Sequence, residues 1–341
     1  MKNFRLILIP ILILVLLLLL DFILTIESVR IFTENKLEYY FYQSREDLIL
    51  KNILDSKNYP SKKSLFLLGT SHFGELSNDI MNKIRPDLLS YNYSSPSAPF
   101  SYYAFILNKA IDLGLKPSYI VLEVYPYSAT DTANHYALRY SYDLKFFIRY
   151  YKNLDFYDFD TFLRSRIFRT QIFPFKITEI IKKIKHPENK EIFKLLKNEI
   201  YNNLSTKNGG IANNLIHTVS PDNLIENSDN YFKENFFNFN FSNNQMYFLE
   251  EVLKICKKNN IKIVMVRPII YPYLDKKING LENIKKWNNI INSYVSYYNI
   301  IFINLQEYEN SLDCLNFIDS HHLSGGCYEK PTEIIINSLD Q

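Results

Sequence analysis

The first feature of the chain is a long apolar run from Leu6 to Ile26, interrupted only by Pro10, Asp21 and Thr25. A helix of about 20 apolar residues is long enough to cross the hydrocarbon core of a bilayer. Asp21 lies near the end of the run, where a carboxylate can reach the headgroup region. The pattern predicts one N-terminal transmembrane helix, and no later run is long and apolar enough to span a membrane.

Two basic residues, Lys2 and Arg5, precede this run. By the positive-inside tendency they predict a cytoplasmic N-terminus, with the rest of the chain outside the membrane in the periplasm or on the cell surface. The alternative is a cleaved signal peptide. The run is long for a signal peptide, and residues 25–30 lack a small-x-small cleavage site. We therefore expect an uncleaved signal anchor.

Beyond residue 60, short apolar runs alternate with segments of helical periodicity. Strands are predicted at Ser64–Leu68, Leu88–Asn92, Tyr119–Val124, Ile261–Val266 and Ile300–Asn304. Helices are predicted at Asn78–Lys83, Phe100–Leu113, Met246–Asn259, Ile284–Tyr297 and Tyr328–Leu339. This alternation is typical of parallel strands with helices on both faces. The predicted fold class is α/β, with three layers and a mostly parallel sheet flanked by helices.

The segment from about 130 to 240 breaks this alternation. It is rich in Tyr, Phe and Asn, with basic stretches of helical spacing at Phe175–Lys185 and Lys190–Tyr201. We interpret it as an insertion or cap, and its biased stretch Tyr231–Asn244 as a surface loop. The predicted organisation is an anchor at 1–30, a juxtamembrane linker at 31–60, and an α/β domain at 61–341 that carries the insertion.

Composition narrows the classes of function. The formal net charge is +3, and without a Lys/Arg-rich stripe a nucleic-acid partner is not expected. The chain has only 8 glycines, and neither the G-x-G-x-x-G nor the G-x-x-x-x-G-K-[ST] pattern occurs. These features argue against a phosphate-binding glycine loop, and no cofactor is expected.

The three cysteines, Cys256, Cys314 and Cys327, form neither a C-x-x-C pair nor a zinc spacing. We expect buried free thiols. The alternative is a disulfide between Cys314 and Cys327 in an oxidising compartment. No cluster of metal ligands is recognisable in the sequence, so no metal site is predicted.

The first candidate motif, Gly69-Thr70-Ser71-His72, follows directly after the first predicted strand. In open α/β sheets, ligands bind outside the carboxyl ends of the strands. A serine that opens a helix there has an exposed hydroxyl and an N–H near the positive helix end, which favours an oxyanion. The spacing differs from the G-x-S-x-G elbow because the next glycine is Gly74. Taken alone, Ser71 would more commonly be a helix N-cap.

The second motif, Asp319-Ser320-His321-His322, precedes the last predicted helix. In a turn of helical pitch, an offset of three residues lets Asp319 hold one ring nitrogen of His322 while the other faces the serine. His321 is the alternative to His322, and the offset favours His322. Together the motifs supply the serine, histidine and carboxylate of a nucleophilic acyl-transfer site.

The Gly-x-Ser block after the first strand and the Asp-x-x-His block before the last helix resemble the SGNH/GDSL hydrolase-like superfamily. More narrowly, the chain resembles membrane-anchored SGNH-like proteins of bacterial cell-envelope O-acylation, such as the accessory proteins of D-alanylation and of alginate acetylation. The similarity covers about residues 60–126 and 245–340. It implies an SGNH-like fold with Ser71 as nucleophile, His322 as general base and Asp319 as its orienting partner.

In that superfamily, a second block supplies an oxyanion donor after the second strand. Residues 91–95 occupy this place, so the resemblance implies Asn92, or a backbone amide of Ser94 or Ser95, as the donor. The third block, usually Gly-x-Asn-Asp, is missing, and residues 121–126 stand in its place. One oxyanion donor contributes about 3–4 kcal/mol, so this departure argues against ordinary esterase activity.

Three further polar residues are expected near the same sheet edge. His72 either lines the pocket or is exposed at the start of a helix. Arg267, at the end of the fourth strand, either binds a substrate anion or forms a structural ion pair. Glu123, at the end of the third strand, either serves the site or caps a neighbouring helix.

These features predict a membrane-anchored, extracytoplasmic acyltransferase or acylesterase that acts on a cell-envelope glycan through a Ser-His-Asp triad and an acyl-enzyme. The expected partners are an acyl donor, the glycan and a membrane-bound O-acyltransferase near the anchor. The alternative is a catalytically inactive protein of the same fold that binds glycan or scaffolds a membrane acylation complex.

Overall fold

The N-terminal apolar run forms a single helix. We describe the protein from a computed structural model for residues 2–34, 36–131, 134–211 and 215–340. Helix α1 (Lys2–Thr25) contains the segment Leu8–Thr25, which is long and apolar enough to cross a membrane. Only 11% of this segment is buried inside the protein, unlike the core helix of a soluble protein. The structure thus contains one N-terminal helix, among the residues described, that could span a membrane.

Two helices connect α1 to the α/β part of the chain. They are α2 (Glu27–Thr33) and α3 (Glu38–Asn58). The predicted boundary at residue 30 falls inside α2, and the one at residue 60 falls between α3 and the first strand. Tyr42, Leu48 and Ile49 of α3 are buried in the main core, so this segment packs against the α/β domain.

Five strands form one parallel sheet in the part of the chain that the structure describes. They are β1 (Lys63–Leu68), β2 (Leu88–Asn92), β3 (Tyr119–Glu123), β4 (Lys262–Arg267) and β5 (Ile301–Asn304). Each predicted strand is confirmed to within one residue at either end. The strand order is β2-β1-β3-β4-β5, and every neighbouring pair is parallel. The order reverses at β1, so the carboxyl ends of β1 and β3 flank a switch point of the kind at which such sheets bind ligands.

Helices cover both faces of the sheet, as predicted. They include α5 (Asn78–Ile84), α6 (Phe100–Asp112), α13 (Asn243–Lys258), α15 (Glu282–Tyr298) and α16 (Glu329–Asn337). These bounds agree with the sequence prediction to within three residues. Phe66 and Ile120 are neighbours in the sheet and face one core with α6, α13 and α15. The next pair, Leu67 and Val121, faces the opposite core with α5 and α16. Strands buried on both faces explain why their sequences are almost continuously apolar.

The segment between β3 and α13 consists mainly of helices outside the sheet. They are α7 (Asn134–Tyr140), α8 (Leu144–Tyr150), α9 (Phe156–Ile167), α10 (Ile177–Lys185), α11 (Glu188–Thr206) and α12 (Pro221–Asn235). The two basic stretches are helical, as predicted. The surface loop expected at Tyr231–Asn244 is wrong, because Phe236 and Phe239 of this stretch are buried in a small core with Tyr125. The biased composition of this stretch did not show that the two rings pack on Tyr125, just after β3. Burial of their apolar area there stabilises the contact.

Candidate active site

Ser71 lies where β1 ends, at the switch point of the sheet. It is the first residue of the four-residue helix α4 (Ser71–Gly74) and is partly accessible to solvent. The N-cap of this helix is Thr70, whose side chain accepts a hydrogen bond from the His72 N–H. Ser71 therefore does not serve as the cap, and its hydroxyl is free for other partners. Because α4 is only one turn long, the expected contribution of a helix dipole to the site is small.

The structure brings Ser71, His322 and Asp319 into one chain of hydrogen bonds. The Ser71 Oγ lies 2.7 Å from His322 Nε2. The other ring nitrogen, Nδ1, lies 2.8 Å from Asp319 Oδ2. When Nδ1–H donates to the carboxylate, Nε2 is left as the acceptor for the serine hydroxyl, which is the arrangement of a general base. His322, and not His321, faces Ser71.

The loop between β5 and α16 sets this geometry. Its base is closed by an antiparallel bridge between Phe317 and Leu323, both buried. Inside the loop, Asp319 Oδ1 accepts hydrogen bonds from the N–H groups of His321, at 2.9 Å, and His322, at 2.8 Å. One carboxylate oxygen thus shapes the turn, while the other orients the imidazole.

The environment of Asp319 favours its ionised form. Burial raises the pKa of this carboxyl, but the hydrogen bond from His322 and the interaction with the charge on that ring outweigh burial. The result is a pKa well below the ordinary value, so Asp319 is a carboxylate at neutral pH. His321 is affected in the opposite sense, because burial and the charge of His322 lower its pKa and favour the neutral ring. Its ring stacks on Tyr231, with centroids 4.1 Å apart.

A second carboxylate, Glu123, holds the residues on either side of Ser71. It is fully buried at the end of β3. Its carboxylate accepts hydrogen bonds from the Thr70 N–H at 2.7 Å, the Thr70 hydroxyl at 2.7 Å and His72 Nδ1 at 2.8 Å. A Cβ at position 69 would lie 2.6 Å from Glu123 Oε2, so Gly69 is what allows this close approach. These contacts place Glu123 beside Ser71, and a role in the work of the site stays a prediction.

His72 is buried, not exposed at the helix start. Its ring centroid lies 5.1 Å from that of His322. With Nδ1 taken by Glu123, its Nε2 is buried without a hydrogen-bond partner in the part of the chain that the structure describes. His72 therefore forms part of the wall beside the imidazole of His322.

The predicted oxyanion donors are engaged within the protein. Asn92 Nδ2 donates to the Phe73 carbonyl at 2.6 Å, and Asn92 Oδ1 accepts from the N–H and hydroxyl of Ser94. The Ser95 N–H donates to the Gly69 carbonyl at 3.1 Å. These bonds tie the loop after β2 to β1 and α4, and an oxyanion role for Asn92 or Ser94 stays a prediction.

A buried arginine supports the same loop, and sequence reasoning missed it. Arg45 of α3 donates to the Ser94 carbonyl at 2.8 Å and to the Gly209 carbonyl at 3.0 Å. Burial lowers its pKa to about 10, which leaves it charged at neutral pH. Gly209 has a φ of +87°, and a Cβ there would lie 2.3 Å from the Asn92 carbonyl. Nothing local in the sequence signals this contact, because the partners of Arg45 lie in two segments that are distant from it in sequence.

Arg267 forms the structural ion pair that was the alternative to substrate binding. Its guanidinium lies 2.6 Å from Asp275 and 3.0 Å from the Asn279 side-chain oxygen, both in α14 (Pro272–Asn279). The side chain is 13% exposed. A role in binding a substrate anion stays a prediction.

Three possible metal ligands do lie together, although the sequence showed no such cluster. The candidate ligand atoms of Asp319, His321 and His322 are within 4.8 Å of one another. A metal ion on His322 would compete with its bonds to Ser71 and Asp319. The same residues cannot hold a metal and form the hydrogen-bonded chain at once, so chelation distinguishes the two uses.

The expectation of free thiols is wrong for two of the three cysteines. Cys314 and Cys327 form a disulfide, and Cys256 is free and buried. The bridged residues are 13 positions apart and lie on either side of the Phe317–Leu323 bridge. The hairpin brings them together, which their scattered positions in the sequence did not show. The loop that carries Asp319 and His322 is thus closed covalently.

Loss of this disulfide is expected to destabilise the loop. Closing a loop of this length stabilises a fold by about 3 kcal/mol in the chain-entropy model. We expect the double variant Cys314→Ser/Cys327→Ser to unfold at a lower temperature, and a reducing agent to lower the melting temperature of the wild type but not of the variant. Thermal unfolding of the full-length protein in detergent measures both. Equal melting temperatures for oxidised wild type and variant would contradict the prediction.

The fold and the site together define a class: a parallel α/β protein with a serine–histidine–aspartate chain at its switch point and a helix that could span a membrane. The chain belongs to the family described as protein of unknown function (DUF1574), whose model matches residues 1–339. No curated protein matches the chain. Its function therefore has to be argued from the site.

Proposed function

We propose that this protein is a membrane-anchored acyltransferase or acylesterase with an SGNH-like fold, acting on a cell-envelope glycan outside the cytoplasm. The observation that carries the proposal is the alignment of Ser71 Oγ, His322 Nε2 and Asp319 Oδ2 at 2.7 and 2.8 Å. These are hydrogen-bond distances for a nucleophile, its base and the group that orients the base.

The chemistry follows from this order of groups. Ser71 Oγ attacks the carbonyl carbon of an acyl donor, and its proton passes to His322 Nε2. The imidazolium, stabilised by Asp319, returns the proton to the leaving group as the donor's acyl bond breaks. In the second half, His322 takes a proton from a sugar hydroxyl or from water, that oxygen attacks the acyl-enzyme, and Ser71 regains its proton. Transfer and hydrolysis differ only in the acceptor.

The SGNH-like assignment is supported by where the motifs fall. The serine block follows the first strand of the sheet, and the Asp-x-x-His block lies between the last strand and the last helix. Both reach the carboxyl edge at the switch point. The chain also departs from the superfamily at the third block. Where the superfamily has Gly-x-Asn-Asp, the end of β3 has Glu123, which positions Thr70 and His72.

Two observations support a location outside the cytoplasm. A disulfide closes the site loop, and disulfides persist mainly in oxidising compartments. Lys2 and Arg5 precede the apolar helix, which favours a cytoplasmic N-terminus. A tethered site would meet acceptors near the membrane, and the resemblance to envelope O-acylation proteins suggests that these are glycans.

A fluorophosphonate probe tests the proposal on the full-length protein in detergent. We expect one adduct by intact-mass spectrometry, mapped to Ser71 by peptide analysis. Chelation by EDTA should leave the labelling unchanged, because the triad needs no metal. Absence of an adduct on folded protein would overturn the proposal of an activated serine. A model acyl ester, given with and without a sugar acceptor, then separates transfer from hydrolysis.

One observation favours the second candidate function, a catalytically inactive glycan-binding or scaffold protein. The donors of Asn92, Ser94 and Ser95 that could receive an oxyanion are already used within the protein. In that case the wild type would bind glycan without reacting with the probe. The intact hydrogen-bonded triad is the reason that we place this candidate second.

Replacing Glu123 with Gln is expected to weaken both fold and labelling. Three donors converge on this buried carboxylate, and an amide would turn an N–H toward at least one of them. Leaving a buried donor unpaired costs about 1–3 kcal/mol, and a small displacement of Ser71 lowers the labelling rate by about 100-fold. Thermal unfolding and labelling kinetics measure the two effects. Glu282→Gln, a solvent-exposed change of the same charge, is the control and should match the wild type. An unchanged labelling rate in Glu123→Gln would contradict a positioning role.

A further inference from the structure

Helix α10 is amphipathic, and its apolar face is exposed, whereas a soluble protein usually buries the apolar face of such a helix. Ile177, Ile181 and Ile184 lie on one face at helical spacing and are 64%, 47% and 66% exposed. A lysine, Lys183, is buried instead. Its ammonium donates to the carbonyls of Ile31, at 2.9 Å, and Glu34 at the end of α2. The polar contact of α10 thus points inward, and its apolar stripe points away from the protein.

The position of α10 relative to the membrane helix is fixed by hydrogen bonds. Asp21, near the outer end of α1, accepts from the N–H groups of Arg169, at 2.8 Å, and Thr170, at 2.9 Å. The Thr170 hydroxyl donates to the same carboxylate at 2.6 Å. A short connection, residues 172–176, joins this segment to α10, and α10 also packs against α2, the helix that follows α1. The bonds of Asp21 to Arg169 and Thr170 and the packing of α10 on α2 therefore hold α10 near the end of the apolar span of α1.

We propose that the apolar stripe of α10 (Ile177, Ile181 and Ile184) is seated in the lipid bilayer that α1 crosses, at the boundary between headgroups and acyl chains. This inference rests on the membrane anchoring in the proposed function and is independent of the catalytic chemistry. Lys182 and Lys185 are exposed on the same helix and reach anionic headgroups from this depth. A helix with an outward apolar face flanked by lysines is typical of interfacial membrane binding.

Seating α10 in the interface also has a consequence for the site. A domain held to the membrane at both α1 and α10 has a fixed tilt, whereas a single helix would leave it free to rotate. The distance of Ser71 from the lipid surface is then constant. The acceptors that such a site meets are those presented at one height above the membrane.

Site-directed spin labelling of the full-length protein in lipid nanodiscs tests this inference. The discs contain phosphatidylcholine and phosphatidylglycerol, and both membrane faces meet the buffer. A nitroxide reacts only with an introduced cysteine, since Cys256 is buried and the other two are bridged. Labels are placed at Ile181→Cys and Ile184→Cys, with Lys182→Cys as the control on the polar side of the same helix. Accessibility to oxygen, which is enriched in lipid, is compared with that to a water-soluble nickel chelate.

For the stripe, we expect an oxygen-to-nickel accessibility ratio several-fold higher than at Lys182→Cys. High nickel accessibility at both stripe positions would overturn the inference, since the stripe would then face water. Low accessibility to both reagents would also overturn it, since a second copy or another protein would then cover the stripe. A label at Leu17→Cys in α1 separates the two proposals: a lipid signal there with water at α10 rejects only this inference, and water at both rejects the anchor as well.

Discussion

Replacing Ser71 with Ala is expected to abolish the fluorophosphonate adduct and to lower turnover of a model acyl ester by about 10⁴- to 10⁶-fold. The variant loses the atom that forms the acyl bond, while His322 and Asp319 keep their own hydrogen bond. Ser71 is partly exposed and lies at a helix start, so the free energy of unfolding should change by no more than about 0.5 kcal/mol. Intact-mass spectrometry, ester hydrolysis and thermal unfolding of the full-length protein measure these effects.

A serine that lies outside the site is the matched control. Ser293 is exposed on α15, where its hydroxyl donates to the Ile290 carbonyl. Ser293→Ala should label and turn over like the wild type. An adduct that persists in Ser71→Ala would place the reactive group elsewhere, and equal turnover in both variants would remove the case for an acyl-enzyme on Ser71.

The sheet could be predicted from the sequence because its strands are buried on both faces. The four residues Leu65–Leu68 of β1 are all apolar and fully buried, so the apolar run and the strand coincide. The strand order could not be read in this way. The strand order depends on which strands pair with one another. Nothing in an apolar run specifies that β1 pairs with both β2 and β3.

The three groups of the candidate triad were predictable because topology does most of the positioning. Ser71 directly follows a strand, and Asp319 and His322 are three residues apart in one turn, so local geometry joins two of the three. Parallel strands then bring both motifs to the same edge. The choice of His322 over His321 followed from this offset, and the structure has the same residue facing Ser71.

The supporting groups could not be predicted, because their contacts join segments that are distant in sequence. Arg45 reaches the carbonyls of Ser94 and Gly209, and the sequence gives no sign of these partners. The disulfide depends on a hairpin whose bridge is visible only in three dimensions. In α10, the sequence correctly predicted a helix but not which of its faces points inward, since Lys183 has its acceptors at the end of α2.

Replacing Asp319 with Asn is the second change for which we expect a large effect, about 10⁴-fold in turnover. The amide can keep the turn by accepting from the N–H groups of His321 and His322. It cannot offer a second anionic oxygen to His322 Nδ1, and an amide N–H placed there favours the tautomer with its proton on Nε2. The hydroxyl of Ser71 then faces a donor in place of a base.

The pH dependence of stability gives this variant a second, independent readout. The folded-state pKa of Asp319 lies below its ordinary value of about 3.9. The carboxylate therefore stabilises the fold above about pH 4, and this contribution is lost as the pH falls through the lowered folded-state pKa. The difference in unfolding free energy between wild type and Asp319→Asn should accordingly shrink on acidification.

Asp313→Asn is the control for both readouts, because Asp313 lies between β5 and α16 as Asp319 does, but its carboxylate is exposed. It should keep full turnover at neutral pH, where Asp319→Asn has lost nearly all of it. If the two variants were equally active, Asp319 would only shape the loop, and the orientation of His322 would have to come from the buried ring of His72 beside it. Low turnover in Asp319→Asn, together with a stability gap that closes in acid, would instead assign one residue both tasks: one carboxylate oxygen builds the turn, and the other makes His322 a base toward Ser71.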